Sequence, residues 1–458
     1  MKTIILNYSI FILVILNSCS LSTKPLKPFT DNEKQIAGEM EDVLVNNILH
    51  VYYPRIIDTV NGGFYTNFDA KWKSVQPVKE KMIVTQSRDI WTACQAAERY
   101  PDDARYKKAA EHGFIYLRDV MWDKKFGGFY NYRGLDEGKN PRLNLKQAYG
   151  NAFAIYALSA YTKLTGSSDA LELAKKDFLW LEKNSHDPLK GGYFDFLTQE
   201  GYSVINPKLD NNSRKFPYSG RFKDYNSSIH LLEAFTRLYE VWPDTLVKKR
   251  LVEMFDIVRD TLITPKGYIQ LYFDRNWNHI SFKDSAPDVR KKYFEFDHIS
   301  FGHDMETAYL LLEAARALGL NNDIVTEKVA KKLIDHSMAK GFDKDFTGIF
   351  DGGYYDSKDS MIIVNKEKVW WEQAEAMNAL FLYSRLYPEN VKYKYAAYRM
   401  WYYIKNYLID YENGDWYWAG LDTSPEMKTY RKASAWKGNY HTGRALINIL
   451  ELLQKGER

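Results

Sequence analysis

Apolar positions recur along most of the chain at the three-and-four spacing of amphipathic helices. The stretches come in pairs: 86–100 with 105–121, 147–166 with 169–184, 226–243 with 246–263, 304–319 with 325–342, and 370–388 with 394–409. Two remain, 33–54 and 441–455, and they pair with each other if the chain closes on itself. Capping strings such as "YPDDAR" and "TGSSDA" separate the partners. Between pairs the pattern changes to glycines followed by aromatics: "NGGFYTNFD" (61–69), "FGGFYNYRG" (126–134), "KGGYFDFLT" (190–198) and "DGGYYDSKD" (351–359). "KGYIQLYFD" (266–274) and "NGDWYWAGL" (413–421) are weaker copies. Glycine permits a tight corner there, with a short aromatic hairpin behind it.

The corner glycines are therefore expected at Gly63, Gly128, Gly192, Gly267, Gly353 and Gly414. A unit of two helices plus a hairpin, repeated six times, is a repeat architecture, and nothing suggests a parallel sheet. Six helix pairs in one domain, residues 31–458, predict an all-α closed toroid of six inner and six outer helices. An open solenoid is the alternative.

The front of the chain belongs to another category. "MKTIILNYSIFILVILNSCS" carries one lysine and an apolar run too short to span a bilayer, which reads as an export signal. The "LNSC" at its end resembles a bacterial lipobox. That resemblance implies a signal peptide over 1–18, a lipid on Cys19 and a polar tether over 19–30. The expected location is lipid-anchored, in the periplasm or outer membrane of a Gram-negative bacterium. The other cysteine, Cys94, then has no partner, which removes a disulfide framework and a cysteine-based metal site. Net charge is +4 from 63 basic and 59 acidic residues, too balanced to mark a nucleic-acid partner. Aromatic content is 16%, with 35 tyrosines, and such rings suit amphipathic ligands such as sugars.

In a toroid the inner helices begin at one rim, around a common cavity. Three of the nine histidines, His230, His303 and His441, fall at those helix starts, as do Arg88, Tyr149, Glu306, Trp371, Glu375 and Trp436. The spacing puts Glu306 beside His303 on one helix face and Glu375 beneath Trp371. His303 and Glu306 have a chelating spacing, but no HExxH or aspartate-rich loop supports a metal. His50, His112, His186, His279 and His336 read as solvated, His298 is undecided, and Arg444 reads as structural more than functional.

The strings "QAYGNAFAIY", "NSSIHLLEAF", "ISFGHDMETA", "WWEQAEA" and "WKGNYHTGR" resemble, in order, the signatures of the N-acylglucosamine 2-epimerase family, most closely its cellobiose 2-epimerase branch. The resemblance implies an (α/α)6 barrel that inverts or isomerises a free reducing sugar at C2, with neither metal nor redox cofactor. It places His303 and His441 as the acid–base pair and His230 as an aid to ring opening. Arg88 falls near the reacting oxygens, and Glu306 and Glu375 are the carboxylates orienting the histidines. Trp371 and Trp436 form aromatic walls, and Tyr149, Asp224 and Asn226 are further pocket residues. Departures are Ser228 where the branch has an extra histidine, Tyr309 where it commonly has tryptophan, and "WKGNYHTGR" for "WKCPYHNGR".

The chemistry is coherent on its own terms. C2–H of an open-chain aldose is acidified by the adjacent carbonyl, and its removal gives an enediolate. Two imidazoles on opposite faces can take and return the proton, and a fixed cation offsets charge on the sugar oxygens. Cellobiose or mannobiose is the expected substrate, with N-acetylhexosamines second, and a monomer is expected. Aldose–ketose isomerisation uses the same groups. A glycoside hydrolase recruiting Asp224, Asp304 or Glu375, and a non-catalytic glycan-binding lipoprotein, are the remaining alternatives.

Overall fold

The computed structural model describes residues 30–75, 80–134, 144–204, 222–345, 347–356 and 358–455; the signal segment and Cys19 lie outside them. The helices are α1 (Glu33–Asp42), α2 (Ile83–Arg99), α3 (Ala104–Tyr116), α4 (Ala148–Thr165), α5 (Ser168–Asn184), α6 (Tyr225–Val241) and α7 (Thr245–Asp256). After a short α8 (Pro287–Lys292) come α9 (Phe301–Ala317), α10 (Ile324–Lys340), α11 (Trp370–Leu386), α12 (Val391–Tyr403) and α13 (Tyr440–Lys455). Helix α1 continues helically to Tyr52, and α3, α7 and α12 likewise open into a π-helical turn before the chain bends.

Two kinds of helix alternate. In α4 every residue from Ala148 to Thr162 is buried, whereas α5 buries a stripe of Ala170, Leu173, Ala174, Asp177, Phe178, Trp180 and Leu181. A helix apolar all round belongs inside, and one with a single stripe belongs outside. The inner helices α2, α4, α6, α9, α11 and α13 pack each on the next, and α13 packs back on α2. The ring is therefore closed, an (α/α)6 barrel. Outer helices α1, α3, α5, α7 and α10 start on side-chain caps from Asn32, Asp103, Ser167, Asp244 and Asp323, which accept from first-turn N–H groups.

Short antiparallel strands lace the rim where the inner helices begin. These are β1 (Glu80–Met82) with β2 (Tyr132–Gly134), β3 (Lys146–Gln147) with β4 (Phe196–Leu197), and β5 (Lys223–Asp224) with β6 (Tyr272–Phe273). The last group is β7 (Ile299–Ser300), β8 (Gly352–Tyr355) and β9 (Met361–Asn365). Five of the six corner turns are built by one polar device. Asp123 accepts from the N–H groups of Lys125 and Phe126, while Lys146, two residues before α4, reaches back to its carboxylate (2.9 Å) and to the Gly127 carbonyl. The same pairing joins Lys81 to Asp58, Lys223 to Asp187, Lys368 to Asp343 and Lys432 to Asp410. The glycines are required: Gly128 has φ +74°, and a Cβ there would lie 2.8 Å from the Trp180 ring. An inner-helix side chain pins the strand behind the turn, as Gln86 does to both main-chain polar groups of Phe64, Asn151 to Phe129 and Gln373 to Ile349.

The fifth corner corrects the sequence reading. Its turn runs from Asp343 to Gly348 (φ +81°), not through Gly353. Gly352 and Gly353 lie in β8, where the constraint is closeness rather than turning. A Cβ on Gly352 would sit 2.0 Å from His298 Nε2, and one on Gly353 would sit 2.3 Å from the Ile362 carbonyl oxygen.

Lys146 and Asp123 are 0% and 2% exposed, so removing one partner strands a buried charge. Lys146→Met is expected to cost about 3–5 kcal/mol of unfolding free energy. The double change Lys146→Ile with Asp123→Thr should recover most of it, which urea melts of the three proteins will show.

Candidate active site

The barrel brings equivalent helix positions to one depth. The sixth residues of α2, α4, α6, α9 and α11 are Arg88, Phe153, His230, Glu306 and Glu375. One turn above, the second residues of α4, α6, α11 and α13 are Tyr149, Asn226, Trp371 and His441, and His303 is the third of α9. The Trp371 ring contacts two imidazoles, its centroid 4.8 Å from that of His303 and 5.6 Å from that of His441. Trp436, 46% exposed, stands outside them on the rim.

Beneath this mouth is a buried polar cluster centred on Arg444, a residue the sequence reading treats as structural. Its guanidinium donates to Glu233 (2.6 Å), Glu375 (2.6 Å), Glu306 and the Tyr440 hydroxyl. The carboxylates then face the histidines. Glu375 Oε1 meets His441 Nδ1 at 2.6 Å, and Glu233 Oε2 meets His230 Nδ1 at 2.9 Å. Tyr309 donates to Glu375 Oε2 (2.6 Å) and Tyr440 to Glu233 (2.7 Å). Across the cavity Arg88 lies over the Phe153 ring (4.4 Å) and donates to the Tyr149 hydroxyl (3.2 Å).

Most of the anticipated residues thus converge, with two corrections. Glu306 does not hold His303: its carboxylate is bonded to Arg444, and His303 Nδ1 is buried without a hydrogen-bond partner among the described residues. The His–Glu pair at i, i+3 that does form is His230–Glu233, and Glu233 was missed although "HLLE" repeats the spacing of "HDME". Asp224 serves its own helix, accepting from the Ser227 N–H (2.8 Å) and hydroxyl (2.7 Å). Ser228 is buried and donates to the Asp224 carbonyl (2.7 Å). Of the histidines read as solvated, His336 is buried and His186 half-buried. His186 meets Glu253 (2.8 Å), and His336 meets the Tyr355 hydroxyl (3.0 Å) and Asp304 (3.4 Å), the carboxylate that takes the pinning position in α9.

Burial sets the charge states. It pushes His303 down to about 3, so this imidazole is neutral at neutral pH. Burial, then Arg88, push His441 well below the usual range, while Glu306 pulls the other way. Burial alone would raise Glu233, but Arg444 and His230 beside it hold it far below the carboxylate range. Glu375 is raised by burial against the opposing pull of Arg444 and Tyr309. Glu306, Glu375 and His441 offer ligand atoms within 4.8 Å of one another, a spacing that could suit a metal. Arg444 is bonded to both carboxylates, so the cation of this cluster is a guanidinium.

Two neutral-capable imidazoles, a fixed guanidinium and aromatic walls at the mouth of an (α/α)6 barrel define an enzyme of the carbohydrate epimerase and isomerase class. The comparisons agree. The family described as N-acylglucosamine 2-epimerase (GlcNAc 2-epimerase) matches residues 63–445, and the chain belongs to it. A cellobiose 2-epimerase of Bacteroides fragilis is 30% identical over 428 residues, 90% of this chain and 98% of the relative. The cellobiose 2-epimerase of Bacillus thermoamylovorans B4167 superposes with a TM-score of 0.78 at 25% identity, over 91% of this chain and 99% of its own. That of Spirochaeta thermophila DSM 6192 gives 0.77 at 26%, over 93% and 98%.

Arg444→Met leaves three buried carboxylates without their cation and is expected to cost about 3–5 kcal/mol. Tyr309→Phe removes one donor from Glu375 and should cost about 1 kcal/mol; both are read from urea melts. A pH effect follows from His303. As pH falls through about 6.5 the unfolded chain protonates this imidazole, while the folded chain does not until about 3. Stability is therefore lost across that window as pH falls. The loss between about pH 6.5 and 4 should be shallower in His303→Gln than in the parent protein; equal slopes would show that His303 titrates alike in both states.

Proposed function

We propose that the protein is a sugar 2-epimerase of the cellobiose 2-epimerase kind, acting on the reducing-end residue of a β-1,4-linked disaccharide, cellobiose or mannobiose. The observation that carries this reading is the convergence of His303 and His441 on the Trp371 ring, with Nε2 of each imidazole not engaged in a hydrogen bond among the described residues. The similarity to cellobiose 2-epimerases over nearly their whole length supports the substrate class.

One imidazole takes the proton from C2 of the open-chain sugar, and the other returns a proton to the opposite face. The cycle needs one histidine to enter neutral and the other protonated, and the two exchange states in each turnover. His303, held at about 3, meets the first requirement. Burial and Arg88 hold His441 neutral as well in the empty site, and Glu375 against Nδ1 is its counter-ion when it takes up a proton as negative charge develops on the sugar oxygens. Arg88 is the cation for O1 and O2, and the Tyr149 hydroxyl it donates to keeps it aimed at the cavity. His230, backed by Glu233, assists ring opening. Trp371 and Trp436 provide faces for the sugar rings, with Asn226 hydrogen-bonded to Tyr149. Each acid–base group is worth on the order of 10² to 10⁴ in rate.

A hydrolytic reading meets a physical obstacle. Glu375 is bonded to Arg444, Tyr309 and His441, Asp224 caps α6, and Asp304 holds the Ile269 N–H and the Ser337 hydroxyl. None is left to protonate a glycosidic oxygen.

The test is proton NMR in D₂O with cellobiose, mannobiose, mannose and N-acetylglucosamine offered separately. Deuterium at C2 together with the epimer of a disaccharide is the expected result. Ketose formation would move the protein to the isomerases, and no exchange with any sugar would sink the catalytic reading. His303→Asn and His441→Asn should each abolish exchange with the fold retained; full activity in either removes that residue from the mechanism.

The lipid anchor is a separate proposal, supported by the "LNSC" string. Among the described residues no helix is long and apolar enough to cross a membrane. Labelled fatty acid should be incorporated by the full chain in a Gram-negative host and not by Cys19→Ser; equal labelling of both overturns it.

A further inference from the structure

Five corners carry the buried aspartate–lysine pair, and the fourth does not. Thr264 stands at the aspartate position, and Ile299, two residues before α9, stands at the lysine position. The two charges are absent together, as they must be, because either alone would be buried without a partner. The chain spends extra length here. Residues 275–298, including α8, form a projection with its own small apolar cluster of Ile280, Phe282, Tyr293 and Phe296.

Between this projection, the Thr264–Gln270 turn and the β8–β9 hairpin lies a cleft of about 360 Å³, within the range of small-ligand pockets. None of the residues placed around His303 and His441 lines it. Strand β7 separates it from them, since Phe296, His298 and Ile299 on its wall directly precede α9.

The lining is aromatic and polar, with two lysines, Lys266 and Lys283, against three aspartates, a balance that does not attract an anion. Tyr268 and Tyr355 contribute half-buried rings with centroids 5.3 Å apart, and Phe296 is buried behind the wall. Gln270 Nε2 donates to His279 Nδ1 (3.0 Å), and His279 Nε2 then donates to the Phe296 carbonyl (3.3 Å). That chain fixes the imidazole as one neutral tautomer and leaves Gln270 Oε1 as an acceptor on the cleft wall. Burial lowers His279 and His298, which keeps both uncharged. Tyr355 donates to His336 Nε2 (3.0 Å), so its oxygen lone pairs stay open to a ligand donor. The acids are occupied: Lys266 pairs with Asp359, Asp297 accepts from Ser281 and from the Phe282 N–H (2.8 Å), and Asp356 accepts from the N–H groups of Lys358 and Ser360. Flat rings beside neutral acceptors favour a polyhydroxylated, uncharged ligand over an anion.

We propose that this cleft is a second carbohydrate-binding site, holding a short stretch of an uncharged glycan against Tyr268 and Tyr355 while the catalytic cavity remains free. An enzyme whose substrate is a fragment released from a polymer would be kept near its source by such a site.

Native electrophoresis through gels containing β-1,4-glucomannan, hydroxyethyl cellulose or polygalacturonate tests it with the chain lacking residues 1–19. The expected result is retardation in at least one uncharged polymer and none in polygalacturonate. Gln270→Ala and Tyr355→Ala should each weaken the retardation about tenfold in apparent dissociation constant, with the unfolding midpoint of Gln270→Ala unchanged. Trp436→Ala, on the catalytic rim, should be retarded like the parent. Absence of retardation in both uncharged polymers overturns the proposal, as does retardation that survives Gln270→Ala and Tyr355→Ala. Loss in Trp436→Ala alone would assign the binding to the catalytic mouth, and preference for polygalacturonate would make the ligand anionic; either also overturns it. The readout is binding, so it stands whether or not the protein epimerises any sugar tested.

Discussion

The guanidinium of Arg444 is the interaction on which the interior depends. It comes from the last helix and is bonded to carboxylates from α6, α9 and α11, so four of the six inner helices meet at one cation. Burying three carboxylates and a guanidinium is costly by itself, and the arrangement persists because Arg444 serves all three while Glu233 and Glu375 each have a tyrosine hydroxyl and a histidine besides. The arrangement also gives direction. With Glu375 and Glu233 held from below, His441 and His230 must point their remaining nitrogens toward the cavity. One structural cation thereby orients two imidazoles that lie on different helices.

His303 is the exception within that scheme, and the difference has a chemical meaning. It has the Tyr225 and Trp371 rings on its sides and no hydrogen-bond partner for Nδ1 among the described residues. An imidazole without a carboxylate behind it resists protonation, whereas one backed by Glu375 gains a counter-ion when it charges. The two histidines proposed to exchange a proton with C2 are thus unlike in their hydrogen-bond partners, while burial holds both below the usual imidazole range.

The corners allow the rim to vary without opening the ring. A buried lysine returns to the aspartate of its own turn, and an inner-helix side chain holds the strand behind it, so each unit secures its own entrance. Loops beyond those anchors can lengthen freely, because the closure cost of extra residues grows only slowly. The fourth unit has used this freedom, exchanging the charged pair for Thr264 and Ile299 and carrying the projection that walls the second cleft.

Much of this molecule is legible in its sequence. Helix pairs follow from apolar spacing, all-round apolar stretches such as 148–162 mark the inner helices, and His230, His303, His441, Arg88 and Glu375 stand out as polar residues at the starts of such helices. These are local properties, decided by side chains a few positions apart. The pairings were not legible. Arg444 meets Glu233 across 211 residues, and only ring closure brings them together. Gly352–Gly353 matches the corner motif, yet the turn is at Gly348, because glycine is demanded by close approach as well as by a left-handed backbone. His336 reads as an outer-helix surface residue until Asp304 is found beside it. The sequence by itself determined which segments are helical, which face is apolar and which groups stand at the rim. The closed ring decided which carboxylate serves which histidine, since partners in a barrel are chosen by depth along neighbouring helices rather than by distance along the chain.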